Sequence, residues 1–104
     1  MRLAAKVDLT HKEIRDGLRK LGFNVFDTSK IGAGFVDLVV GGRGVTYLVE
    51  CKTPNGRKTA LQGLGEAQRE FRDAWCGGPV IVAYSLSDVL YEIKMDCKKR
   101  GWVK

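Results

Sequence analysis

Two short apolar runs around a glycine-rich turn, each carrying charge where charge is expensive, constrain this chain more than any other stretch. The first is Phe35-Val36-Asp37-Leu38-Val39-Val40 and the second Val45-Thr46-Tyr47-Leu48-Val49-Glu50-Cys51-Lys52, with Gly41-Gly42-Arg43-Gly44 between them. Runs of this kind predict two strands paired as a hairpin. A charge buried in such a ribbon costs several kcal/mol unless it is paired or holds a metal. Side chains alternate faces along a strand, so Glu50 and Lys52 share a face and Cys51 points opposite. Pairing through the turn sets Asp37 across from the region of Leu48 to Glu50. Three ionisable groups then gather at one end of an apolar ribbon, the layout of a divalent-metal hydrolytic site.

At 104 residues the chain is expected to form one domain, 1–104, around a single core. Its 44% hydrophobic and 29% charged content is that of a globular protein, not of a disordered one. No apolar run approaches the roughly 20 residues of a membrane span, and the N-terminus lacks an apolar signal core. A cytoplasmic protein without membrane association is therefore expected. The net charge of +6 is compatible with a polyanionic partner. Cys51, Cys76 and Cys97 are widely spaced and His11 is the lone histidine, which argues against structural zinc and for reduced thiols. Cys51, alternating away from Glu50 and Lys52, reads as a small buried hydrophobe.

Along the chain, Met1 to Leu9 shows no clear periodicity and reads as a short arm. Thr10-x-x-Glu13 has the form of a capping box, and Ile14, Leu18 and Leu21 follow at helical spacing until Gly22. Phe23 to Asp27 alternates as a first strand. Thr53 to Gly65 is a loop with the turn signal Pro54-Asn55-Gly56. Glu66 to Trp75 reads as a helix with Ala67, Phe71 and Trp75 on its inner face. Pro79 to Tyr84 is a continuous apolar run, read as a buried strand parallel to a neighbour across that helix. Ser85 or Ser87 caps a last helix with Val89, Leu90, Ile93 and Cys97 inward. The order is helix, three strands, helix, strand, helix. An α/β architecture follows, a small mixed sheet flanked by helices.

Paired carboxylates repel, and a bound Mg²⁺ or Mn²⁺ reverses this because hard cations prefer oxygen ligands and keep several waters. Asp37 and Glu50 are the ligands this pattern offers, with the backbone carbonyl of Cys51 as a neutral third oxygen. Lys52 can orient a water nucleophile or steady charge developing on phosphorus. Either fragment alone is an ordinary solvated strand end. Their coincidence at one end of adjacent strands is what points to chemistry.

Gly34 to Val40 followed by Tyr47-Leu48-Val49-Glu50-Cys51-Lys52-Thr53 resembles the Asp…Glu-x-Lys motif of the PD-(D/E)xK restriction-endonuclease-like nucleases. Gln68-Arg69-Glu70-Phe71, on a helix after a basic glycine-bearing loop, resembles in particular the virus-type replication–repair (VRR-Nuc) branch, related to Holliday-junction resolvases. The resemblance runs from the first helix to Val80. It implies an αβββαβ core and a Mg²⁺- or Mn²⁺-dependent endonuclease acting on branched DNA such as a junction or flap. It also implies a homodimer, phage origin and, with that, the host cytoplasm. Residue by residue, it gives Asp37 and Glu50 as metal-binding acids, Lys52 as the catalytic lysine and Gln68 as the helix glutamine completing the site. Glu13 takes the place of an extra acid on the first helix; its alternative role is to close the capping box. Val36 stands where the family has proline, and Cys51 where an aliphatic residue is usual. Lys30, Arg57, Lys58, Arg69 and Arg72 are expected on DNA phosphates, while Arg43 and Lys98-Lys99-Arg100 read as surface charge. Two other readings stand beside this one. A non-catalytic DNA-binding module explains the charge but not the convergent polar groups. A nucleotide-binding protein has Gly32-x-Gly34 and Gly63-x-Gly65, but neither forms a strand–GxGxxG–helix unit.

Overall fold

A computed structural model describes residues 2–32, 34–52 and 66–102, with side chains from residue 9 onward. Residues 53–65, where a loop carrying Arg57 and Lys58 is expected, lie outside the described residues. The first helix, α1, spans Arg2–Lys20. Thr10 and Glu13 are thus mid-helix, and the capping box and N-terminal arm expected from the sequence are not formed. Arg2-Leu3-Ala4-Ala5-Lys6 is made of strong helix formers, so the helix has no reason to wait for Thr10.

Four strands follow the order β1-β2-β3-β4 in one sheet. They are β1 (Asn24–Asp27), β2 (Leu38–Gly42), β3 (Val45–Cys51) and β4 (Val80–Ala83). β1–β2 and β2–β3 are antiparallel, and β3–β4 are parallel across the helix α2 (Glu66–Ala74). β2 starts after Asp37 rather than at Phe35 and runs through Gly41 and Gly42. The turn is reduced to Arg43 and Gly44, whose φ values of 55° and 81° match the right-handed twist of a two-residue hairpin. The last helix, α3 (Leu86–Lys99), is capped by Ser85, whose hydroxyl accepts from the Asp88 amide.

Strand alternation divides the sheet into two unlike faces. Odd-numbered residues of β3, including Tyr47, Val49 and Cys51, join Leu38, Val40, Ile81 and Ala83 against Ile14 and Leu18 of α1 and Val89, Ile93 and Cys97 of α3. This is the main core. Buried Tyr47 donates to Asp96 at 2.8 Å, and Arg100 donates to the same carboxylate at 2.7 Å while lying over Trp102. That network fastens the end of α3 to the sheet. The opposite face carries α2, which has no fully buried residue. The residues it turns toward the sheet are Gln68, Phe71 and Arg72, which with Val36, Val80 and Val82 surround a small cavity beside Glu50. Ala67 is exposed, so the inner face is rotated from the Ala67–Phe71–Trp75 stripe expected from periodicity. Among the described residues, no helix is long and apolar enough to cross a membrane.

Candidate active site

Glu50, one residue from the end of β3, is only 5% exposed on the α2 face. Its neighbours fix it from two sides. The Gln68 amide nitrogen donates to Glu50 Oε2, and Lys52 Nζ lies 3.5 Å from the same oxygen. Lys52 Nζ also donates to Gln68 Oε1 at 3.2 Å, closing a three-member cluster between β3 and α2. The i, i+2 spacing puts acid and amine on one face, and α2 brings the glutamine over both.

Asp37 reaches the same place from the start of β2. Its amide donates to the Val49 carbonyl at 3.0 Å, and its own carbonyl accepts from the Thr28 amide at 2.8 Å. Its side chain then continues the ladder, because Asp37 Oδ2 accepts from the Cys51 amide at 2.9 Å. Backbone N–H and C=O of one strand residue project to the same side, so the Cys51 carbonyl lies along this edge as well. The Cys51 side chain is in the core on the other face. Its thiol is pushed well above the usual cysteine range by burial and then by Asp37 and Glu50, so it is no nucleophile.

Electrostatics sort the two acids from ordinary surface carboxylates. Burial first, and the Asp37 charge second, raise Glu50 to about 7, against partial relief from Lys52 and Gln68. Asp37 is raised by burial too, opposed by the Cys51 amide, His11 and Lys52. Glu50 Oε1 is buried and has no hydrogen-bond partner. A bare, buried carboxylate oxygen in a group already raised by a second carboxylate is a position that lacks positive charge. Among the described residues no three His, Cys, Asp or Glu side chains form a cage for an ion. Two carboxylates and a backbone carbonyl are nevertheless hard oxygen donors of the kind Mg²⁺ uses, since that ion keeps most of its waters. The donor set fits such a cation.

Glu13 is not brought to this cluster. It is exposed and lines a surface groove with Leu9, Lys12, Asp16 and Lys20, on the side of α1 opposite the sheet. The α1 residue near Asp37 is His11, whose Nε2 is 3.4 Å from Asp27 Oδ1. Asp27 also meets Arg15 at 3.1 Å and accepts from the Ser29 hydroxyl at 2.7 Å. Burial alone would raise Asp27, but these bonds hold it at about 2. The meeting of His11 with Asp27 is not among the contacts expected from the sequence. The available signal was the spacing His11, Ile14, Leu18, which puts the only histidine on the apolar stripe of α1. Of the basic residues, Lys30 is exposed after β1 and Arg69 exposed on α2, while Arg72 is half-buried and 3.5 Å from Asp73.

Gly34 sets how closely α2 approaches the cluster. It has φ of 83°, and a Cβ there would stand 2.9 Å from the backbone of Ala67, next to Gln68. Gly34 leads into β2 and not into a helix, which removes the nucleotide-loop reading of Gly32-x-Gly34. Gly34→Ala is expected to lower the thermal midpoint by roughly 5–10 °C, the cost of overpacking against backbone at a positive φ. A scan of the purified variant checks this.

No protein-family model matches the chain, and no curated protein matches it. Among solved structures it is similar to one described as "VRR_NUC domain", with a TM-score of 0.57 and 26% identity, over 86% of this chain and 95% of the other.

Proposed function

We propose, from the premise that this chain is a member of the PD-(D/E)xK superfamily of restriction-endonuclease-like nucleases, that it is a Mg²⁺- or Mn²⁺-dependent endodeoxyribonuclease hydrolysing phosphodiester bonds. The observation that carries this reading is the buried Glu50 carboxylate with one bare oxygen, bracketed by Asp37, Lys52 and Gln68 at a strand end. Asp37, Glu50 and the Cys51 carbonyl would hold the cation. When bound, it polarises a phosphoryl oxygen and makes a neighbouring water more acidic. Lys52 directs its amine toward the developing charge and orients the attacking water. Gln68 keeps Lys52 and Glu50 in register across the gap between sheet and helix. Basic groups on α2 and on the loop after β1 contact the DNA backbone, giving sequence-independent affinity that falls steeply with salt.

The preferred substrate is branched, a junction or flap, and the working form is a homodimer, because one site on a chain this small cannot make paired incisions. The exposed Tyr91, Met95 and Trp102 at α3 and the edge of β4, unpaired among the described residues, offer apolar surface for a second copy. Incubation with labelled junction, flap, nicked and linear DNA in Mn²⁺, Mg²⁺ or EDTA tests the proposal. Cleavage of branched DNA is expected with either metal and not in EDTA, and Asp37→Ala should abolish it. A wild-type protein that binds these DNAs but cuts none would instead be a DNA-binding module on a nuclease fold.

A further inference from the structure

We propose that the uncovered half of the sheet seats an unpaired nucleotide of the strand being cut, with Phe26 as its stacking surface; this rests on the nuclease reading above. α2 stands over β3 and β4, and among the described residues no helix covers the same face of β1 and β2. What remains is an open trough of about 390 Å³ lined by Asn24, Phe26, Val39, Gly41 and Thr46, with Val25 at its edge. Phe26 is 73% exposed, an unusual state for a side chain whose burial is worth about 1.5–3 kcal/mol. Its register explains where it points. Phe26 pairs with Val39 and Val39 with Leu48, so all three lie in one row on the α2 face. The row of Asp37 and Glu50 is two residues further along, about 7 Å. The trough therefore opens directly onto the candidate site.

Its chemistry narrows the occupant. The lining contains no charged side chain, so nothing in it repels a phosphate backbone. Of the nearby acids, Asp27 turns to the other face, where His11 and Arg15 engage it, and Asp37 and Glu50 lie one row beyond the lining, as the ligands of the proposed cation. The floor at Gly41 carries no side chain and is flat, the aromatic ring stands at one rim, and Asn24 and Thr46 supply polar atoms for the edges of a ring. A flat heterocycle with apolar faces and polar edges, tethered to a polyanion and delivered to a chain of net charge +6, matches each of these features. In a fully paired duplex the bases are stacked on each other and cannot reach the ring. An unpaired nucleotide beside a branch can.

The test uses a flap duplex with 2-aminopurine at the unpaired nucleotide next to the branch, and a continuous duplex of the same sequence. Wild type, Phe26→Ala and Phe26→Trp are compared by fluorescence binding in EDTA and by single-turnover cleavage in Mn²⁺. Phe26→Ala is expected to weaken flap binding about tenfold, as for one base stacked on an aromatic ring, to lose the fluorescence quench, and to leave the continuous duplex unaffected. Phe26→Trp should restore both. Equal effects on the two DNAs, or an undiminished quench in Phe26→Ala, would overturn the assignment. So would a loss of dimer mass in Phe26→Ala with DNA binding unchanged, which gives the face to a second copy. Ring-dependent quenching in EDTA by a protein that cuts nothing in Mn²⁺ upholds the trough and removes the nuclease reading instead.

Discussion

Lys52→Met is expected to lower single-turnover cleavage about a thousandfold, some 4 kcal/mol of transition-state stabilisation, with folding and cation binding retained. Methionine keeps the apolar stem of lysine and deletes the charge. The amine it removes is held in advance, 3.2 Å from Gln68 Oε1 and 3.5 Å from Glu50 Oε2, so it needs no reorganisation when charge develops on phosphorus. Lys52→Arg should not rescue activity. Its planar fork needs space that Gln68 already fills, and its charge is spread over three nitrogens. Gln68→Leu keeps the amine and removes its clamp, so its loss should be smaller, up to about a hundredfold, as for a displaced group in a site otherwise intact. Rates from purified variants with matched thermal midpoints separate these effects from misfolding. Cleavage by Lys52→Met within tenfold of wild type would take the chemistry away from this cluster.

The reason Asp37, Glu50 and Lys52 were legible in the sequence is that strand alternation is a local rule. It needs no knowledge of what packs above. The hairpin was legible for the same reason, though its glycines misled: only positions 43 and 44 need a positive φ, so Gly41 and Gly42 continue the strand. The helix starts before its capping-box pattern because such a pattern can lie inside a helix whose preceding residues are themselves good helix formers. Gln68 does turn toward the sheet, but not by way of the expected face. An apolar stripe through Ala67 was expected, whereas the bonds from Gln68 to Glu50 and Lys52 accompany a rotated α2 that leaves Ala67 outside. Polar anchoring outweighs the burial of one methyl group. His11 and Asp27 were invisible because their meeting depends on α1 packing against β1, a contact between elements that no spacing rule supplies.

The same buried carboxylates predict an inverted pH dependence of stability. Glu50 sits at about 7 in the folded chain against an ordinary 4.5, so between those values the folded state holds a proton that the unfolded state has lost. Stability must then fall as pH rises through that window. At about 1.4 kcal/mol per tenfold change in proton affinity, the full loss is at most about 3.5 kcal/mol. Asp37, also raised, acts in the same sense. Asp27 acts oppositely but elsewhere: held at about 2, it contributes stability above its ordinary 3.8 that disappears only as pH falls toward 2. The metal-free protein should therefore melt highest near pH 4 to 5 and lose several degrees by pH 8. A divalent cation replaces the missing proton, so Mn²⁺ at about a hundred times its Kd should restore roughly 2.7 kcal/mol at pH 8. At pH 5 the proton competes and the gain should vanish. Thermal melts across pH, with EDTA or Mn²⁺, decide the matter, and Glu50→Ala should remove most of the decline and the rescue. A melting temperature that climbs steadily from pH 5 to 7 in EDTA would show that Glu50 ionises without cost, and the case for a cation at this strand end would lose its physical basis.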